Sequence, residues 1–203
     1  MAYRETARIR ERKDQTRQCL VDAATRLVAS NGFGGVQVSM IAAEAGMATG
    51  TVYGYFPSKT ALFRAVFEEA SQRELDAFAA ARRPGVSPEF QLQAMVSTFA
   101  GRALANPGLA RALIAEPAEA DLDEARQRFR KAYAEQFETV LSTGIDQGLF
   151  APQDAWVSAQ ALVGGVAEAL VGSAMGECPA DADWRRTRVE AVTAFAMRAV
   201  TVC

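Results

Sequence analysis

The sequence predicts an all-α fold of about nine helices, with a small N-terminal head and a larger helical body. Apolar residues recur at helical spacing through most of the chain. No stretch alternates Val, Ile and Thr between turn residues as a half-buried strand does. Alanine and leucine, both strong helix formers, are plentiful. The chain has 203 residues, half of them apolar and 23% charged. That is enough to bury a core, and the balance does not favour disorder.

The elements follow in order. Thr16 to Ser30 places Leu20, Ala24, Leu27 and Val28 on one face of a helix. Asn31-Gly32 ends it, because glycine takes the left-handed C-terminal position without strain. Phe33 to Gln37 is a loop, and two short helices follow within residues 38–56. Ser58 is an N-cap for a longer helix with Leu62, Val66, Phe67 and Ala70 on one side. Arg82-Arg83-Pro84-Gly85 breaks the chain. Ser87-Pro88-Glu89 then combines a cap, a proline at the first position and an acid in the first turn, and starts a helix that runs to about Ala105. Asn106-Pro107 starts a short helix that Pro117 ends. The last three span about Glu119 to Gln147, Pro152 to Gly172, and Asp183 to Val202. The expected organisation is an N-terminal arm over 1–13, a head over 14–70 and a body over 71–203.

The informative stretch runs from Val38 to Phe56. Two short helices that cross steeply need a small side chain at the crossing, and Ala42 supplies it. The turn between them needs a residue tolerant of positive φ, and Gly46 lies four positions on. Ile41, Ala45, Met47 and Val52 fall where the helices face each other and the rest of the head. The second helix then shows Thr49, Gly50, Thr51, Tyr53 and Tyr55 outward. This is the pattern of a helix-turn-helix. Threonine hydroxyls reach base edges or phosphates, and Gly50 lets the backbone come close. The helix N-terminus offers N–H groups to phosphate oxygens.

Charge is distributed to match. Residues 1–65 hold nine Lys/Arg and five Asp/Glu, a net +4, whereas the remainder holds thirteen and nineteen, a net −6. A basic head on an acidic body fits a head that meets a polyanion, although a solvated helix has the same composition. Arg4, Arg8, Arg10, Arg12 and Lys13 are either a DNA-contacting arm or a solvated tail. The N-terminus lacks a signal-peptide core, no run of about 18 apolar residues exists, and the three cysteines, Cys19, Cys178 and Cys203, are widely separated. Together these predict a protein of the reducing cytoplasm without a membrane span.

The pattern Ile41-Ala42-x-x-Ala45-Gly46-x-x-x-Gly50-Thr51-Val52-Tyr53-x-Tyr55-Phe56-x-Ser58-Lys59-x-x-Leu62 resembles the signature of the tetracycline-repressor (TetR) family. The preceding Leu27-Val28-Ala29-Ser30-Asn31-Gly32-Phe33 matches that family's first helix and exit. The resemblance covers about residues 14–66. It implies a homodimeric, ligand-responsive transcriptional repressor on a palindromic operator in double-stranded DNA. It implies DNA contacts from Gln37, Ser39, Thr49, Gly50, Thr51, Tyr53, Tyr55 and Lys59, with Tyr53 and Lys59 on phosphates and Phe56 in the core. Two positions depart from the usual pattern. Gln37 stands where the family usually has a threonine that caps, and Gly54 replaces a larger polar residue.

In the body, Ala161, Gly165 and Ala169 fall four apart, as do Gly164, Glu168 and Gly172. With Val189, Val192, Phe195, Ala196 and Ala199 of the last helix they offer a close-packing face, either within one chain or in a four-helix dimer bundle. Large side chains gather as Phe90, Met95 and Phe99, as Phe129, Tyr133 and Phe137, and as Trp156 and Met175. The resemblance implies that some line a cavity for a small apolar or amphipathic effector. The candidates are Met95, Phe99, Tyr133, Phe137 and Trp156, with Tyr133 and Trp156 as polar handles.

Catalysis finds little support. There is no histidine, no cysteine pair at zinc spacing, and no strand before Gly32-Phe33-Gly34-Gly35 to make a phosphate cradle. Glu116, Glu119, Asp121, Asp123 and Glu124 read as a loop and helix start. No catalytic residue, metal or cofactor is expected. An activator, an effector-free DNA-binding protein, and an enzyme with a vestigial head are the alternatives.

Overall fold

A computed structural model of the chain describes residues 7–117, 120–175 and 181–201. Arg4, Glu119, Cys178 and Cys203 lie outside the described residues, as does the side chain of Met175. Among the described residues there are nine helices: α1 (Ala7–Asn31), α2 (Val38–Glu44), α3 (Thr49–Tyr55), α4 (Lys59–Ala81), α5 (Pro88–Ala105), α6 (Pro107–Ile114), α7 (Ala120–Asp146), α8 (Ala155–Met175) and α9 (Ala182–Arg198). The all-α expectation holds. None of these helices is long and apolar enough to cross a membrane.

Local chemistry sets the boundaries. Gly32 ends α1 at φ +69°, with its N–H on the Val28 carbonyl at 2.8 Å. The Ser58 hydroxyl accepts the Ala61 N–H at 3.0 Å and caps α4. Ser87 caps α5 ahead of Pro88, and Asn106 caps α6 ahead of Pro107. Two helix starts differ from expectation. α1 begins at Ala7, so Arg8, Arg10, Arg12 and Lys13 belong to its first turns. Nothing between them and Thr16 breaks a helix, and a charged solvated turn needs no apolar face. α8 begins at Ala155, because the Asp154 carboxylate, and not Pro152, caps it through the Val157 N–H at 2.9 Å.

The apolar side chains bury in two clusters. One joins α1, α2, α3 and α4 around Leu20, Ile41, Val52, Leu62 and Phe67, and extends to Ala112 of α6 and Leu122 and Ala125 of α7. The other joins the end of α4 to α5, α7, α8 and α9 around Phe78, Met95, Leu141, Leu162 and Ala196. Helix α6 is the seam between them. It packs along α1, and a Cβ on Gly108 would lie 1.9 Å from the Ala29 carbonyl oxygen, so only glycine permits that approach. At the far end, the Ala151 N–H donates to the Val200 carbonyl at 2.8 Å and ties the chain end to the α7–α8 corner.

Candidate DNA-contact face and ligand cavity

Helices α2 and α3 meet through a tight turn. Gly46 has φ +66°, and the Met47 N–H returns to the Ala42 carbonyl at 2.8 Å. Ile41, Ala42 and Val52 are buried, while Ala45 and Met47 pack against the same core. The opposite face carries no packing duty. Gln37, Ser39, Thr49, Gly50, Thr51, Tyr53 and Lys59 are all exposed. Tyr53 is 51% exposed although large and aromatic. A Cβ on Gly50 or Gly54 would meet nothing within 4 Å. Gln37 occupies the N-cap position of α2 with no side-chain capping bond, which leaves its amide available.

Tyr55 is a correction to the outward set. It is half-buried and packs against the head core, because α3 turns it back toward that core. Phe56 is buried, with the Arg17 guanidinium 5.0 Å from its ring centroid. The Lys59 ammonium lies 5.0 Å from the Phe63 centroid. Arg26 pairs with Glu44 at 2.9 Å and fixes α2 to α1.

A cavity of about 100 Å3 opens among α4, α5, α6, α7 and α8. Its wall is mostly apolar. Phe99, Tyr133 and Phe137 lie on it, and with Phe78 they form an edge-to-face cluster with centroids 4.9–6.3 Å apart. Burial pushes the Tyr133 phenol well above its usual range, and Glu74 adds to this. The phenol therefore remains a neutral hydroxyl. Arg102 forks onto Glu74 at 2.5 and 2.9 Å at the same wall. Arg126 and Arg130 also line it.

Two expected cavity residues lie elsewhere. Met95 is fully buried in the body core and does not line the cavity, lying one turn of α5 before Phe99, which does. Trp156 is 58% exposed in the first turn of α8. Phe90, which the sequence groups with Met95 and Phe99, is also exposed. Phe67, Phe78 and the α6 residues Leu109, Leu113 and Ile114 line the cavity without having been singled out for it. Their spacing marks them only as core, and the void arises from how five helices meet.

Residues 20–66 match the family model described as bacterial regulatory proteins, tetR family. The head of this chain is thus of the tetR-family type. A chain with this head is a DNA-binding transcriptional regulator. The chain is 28% identical over 132 residues to the fatty acid metabolism regulator protein of Bacillus subtilis, covering 64% of this chain and 68% of that one. It is 30% identical over 111 residues to the nucleoid occlusion factor SlmA of Haemophilus influenzae, and the match spans about half of each chain, 54% and 51%. Solved structures share its fold over nearly the whole length. FadR from Bacillus subtilis in complex with stearoyl-CoA superposes with a TM-score of 0.77 at 22% identity, covering 90% of this chain and 98% of that one. A TetR transcription regulator from Haloarcula marismortui superposes at 0.78 with 20% identity, covering 93% and 100%.

Proposed function

We propose that this regulator is a TetR-family repressor that holds a palindromic operator as a homodimer and releases it when an amphipathic effector enters the α4–α8 cavity. The observation that carries the reading is the position of α6. One side of this helix lines the cavity and the other packs on α1 of the head, so a guest in the body bears on the helix against which α2 packs. The contacts to DNA come from Gln37, Ser39, Thr49, Gly50, Thr51, Tyr53 and Lys59. Tyr55 takes part only through its outer edge. The effector lies against Phe99, Tyr133 and Phe137, and the domains divide near residue 70.

The effector class follows from the wall. Aromatic and aliphatic side chains suit an acyl chain, and Arg102, Arg126 and Arg130 suit an anionic end. A fatty acyl thioester has both parts. The stearoyl-CoA in the FadR structure supports this class. The cavity is smaller than the roughly 300–1,000 Å3 of ligand pockets, so such a guest parts its walls on entry. The dimer forms through α8 and α9, whose exposed Trp156, Val157, Ala161 and Phe195 leave an apolar face uncovered in one chain. Two-fold symmetry then sets two α3 helices about 34 Å apart, in a cytoplasmic protein.

Binding to DNA that flanks its own gene, followed by fluorescence anisotropy with and without stearoyl-CoA, tests the reading. Expected are a two-fold symmetric footprint, affinity that falls steeply with salt, and release by the thioester. Salt-independent or asymmetric binding removes the operator reading, and tight thioester binding with no change in operator affinity removes the effector reading. Phe195→Glu is expected to give a monomer in sedimentation that no longer holds the palindrome.

A further inference from the structure

The wall of the cavity contains a cation, Arg126, whose two shortest hydrogen bonds are made to backbone carbonyls. The Arg126 side chain is only 12% exposed. Its Nε donates to the Leu113 carbonyl at 2.9 Å, and a terminal nitrogen donates to the Glu116 carbonyl at 2.8 Å. These carbonyls lie at the C-terminal end of α6, where helix dipoles leave negative charge. The nearest carboxylate, Asp123, is 3.4 Å away and mostly exposed. Arg126 is therefore a nearly buried positive charge held chiefly by neutral acceptors.

Glu116 continues the chain of contacts into the head. Its carboxylate accepts the Phe33 N–H at 2.9 Å and the Gly34 N–H at 2.8 Å. A Cβ on Gly32 would lie 2.7 Å from the same carboxylate, so a glycine there admits it. The Phe33 ring is tied as well. It lies 6.4 Å from Phe67, which lines the cavity and has the Arg126 guanidinium 5.8 Å from its centroid. The loop that leads from α1 into α2 is thus held by backbone and ring to groups that Arg126 touches.

We propose that Arg126 is the residue that senses the anionic group of a cavity ligand, and that Glu116 is the positioning residue through which Arg126 holds the Phe33–Gly34 loop of the head. This rests on reading the cavity as the effector site. A carboxylate or phosphate on a ligand pairs with a guanidinium through two charge-assisted hydrogen bonds, which are stronger than bonds to neutral carbonyls. Arg126 then leaves the α6 terminus, the α6–α7 corner loosens, and Glu116 withdraws from the two N–H groups. A neutral ligand of the same length fills the cavity and leaves this latch closed.

Hydrogen exchange of the Phe33 and Gly34 amides in the full-length protein tests the proposal without DNA. Glu116→Gln is expected to speed both by about tenfold. Arg126→Gln touches neither amide, yet is expected to speed them to a similar degree. Arg126→Lys, which keeps the charge and loses the fork, should fall between. Exchange at Leu141 and Val166 reports whether a variant has loosened globally, in which case the Lys variant decides. Dodecanoate should accelerate the two amides about tenfold in the wild type and not in Arg126→Gln, and dodecanol less than about twofold. Wild-type exchange at Phe33 and Gly34 in both Arg126 variants overturns the proposal. So does an equal effect of dodecanoate and dodecanol, or no effect of dodecanoate. If dodecanoate opens the latch while operator affinity stays unchanged, the effector reading fails and the latch stands.

Discussion

The head and the body are built from the same kind of helix and packed to opposite ends. In the head, four helices close over one core, and a Cβ on Gly50 or Gly54 of α3 would meet nothing within 4 Å among the described residues. The exposed side chains of α3 are free to be selected for an external partner. In the body, Phe78, Phe99, Tyr133 and Phe137 stack edge to face beside a void. Polar residues left outside make a contact surface, and apolar residues left unfilled inside make a receptor. What separates the two regions is where each one leaves its packing incomplete.

Substitutions that add or remove packing should separate the two regions. The largest expected effect is in the body. Phe78→Ala removes a buried ring that meets Phe99, Tyr133 and Phe137. It should destabilise the protein by about 3–5 kcal/mol in urea unfolding. A loss below about 2 kcal/mol would show that the aromatic cluster already tolerates the neighbouring void. Gly46→Ala places a side chain at φ +66° where no atom lies within 4 Å. Its cost is therefore backbone strain alone, about 1–2 kcal/mol, read as a lower unfolding midpoint.

Tyr53→Ala separates surface from core more sharply. The side chain is half exposed, so unfolding should shift by less than about 0.5 kcal/mol. Operator affinity should fall by about tenfold on every DNA sequence, as expected of a phosphate contact. Unchanged affinity would take Tyr53 off the contact face. The smallest effect is a gain. Gly54→Ala lies inside α3 with no atom within 4 Å of the added methyl, and should stabilise the head by about 0.5–1 kcal/mol. Destabilisation instead would mean that α3 is held in its observed form by something other than its own backbone.

The two regions were also unequally legible. The head announces itself because its geometry is local: Ala42, Gly46 and Val52 lie within eleven positions, and each spacing has a steric reason. The early start of α1 was hidden because Arg8 to Asp14 is a helix with no buried face. Met95 and Trp156 were misplaced for a different reason. Size and periodicity show that a side chain is apolar, and neither shows which of several partners it meets. Glu116 read as one acid among several at a helix start. Its partners Phe33 and Gly34 lie more than eighty residues earlier, and no motif of that span is visible in one sequence.

The close approach of Gly108 to Ala29 bears on how such regulators diversify. A head exchanged between two family members meets its new body along this line, where one side must lack a side chain for the other to fit. Recombination of heads and bodies therefore requires glycine at 108 whatever side chain stands at 29, because the close atoms of residue 29 are its backbone, and a designer of hybrid sensors would keep that glycine. Shuffling that lost it would yield chains whose halves each fold and do not dock.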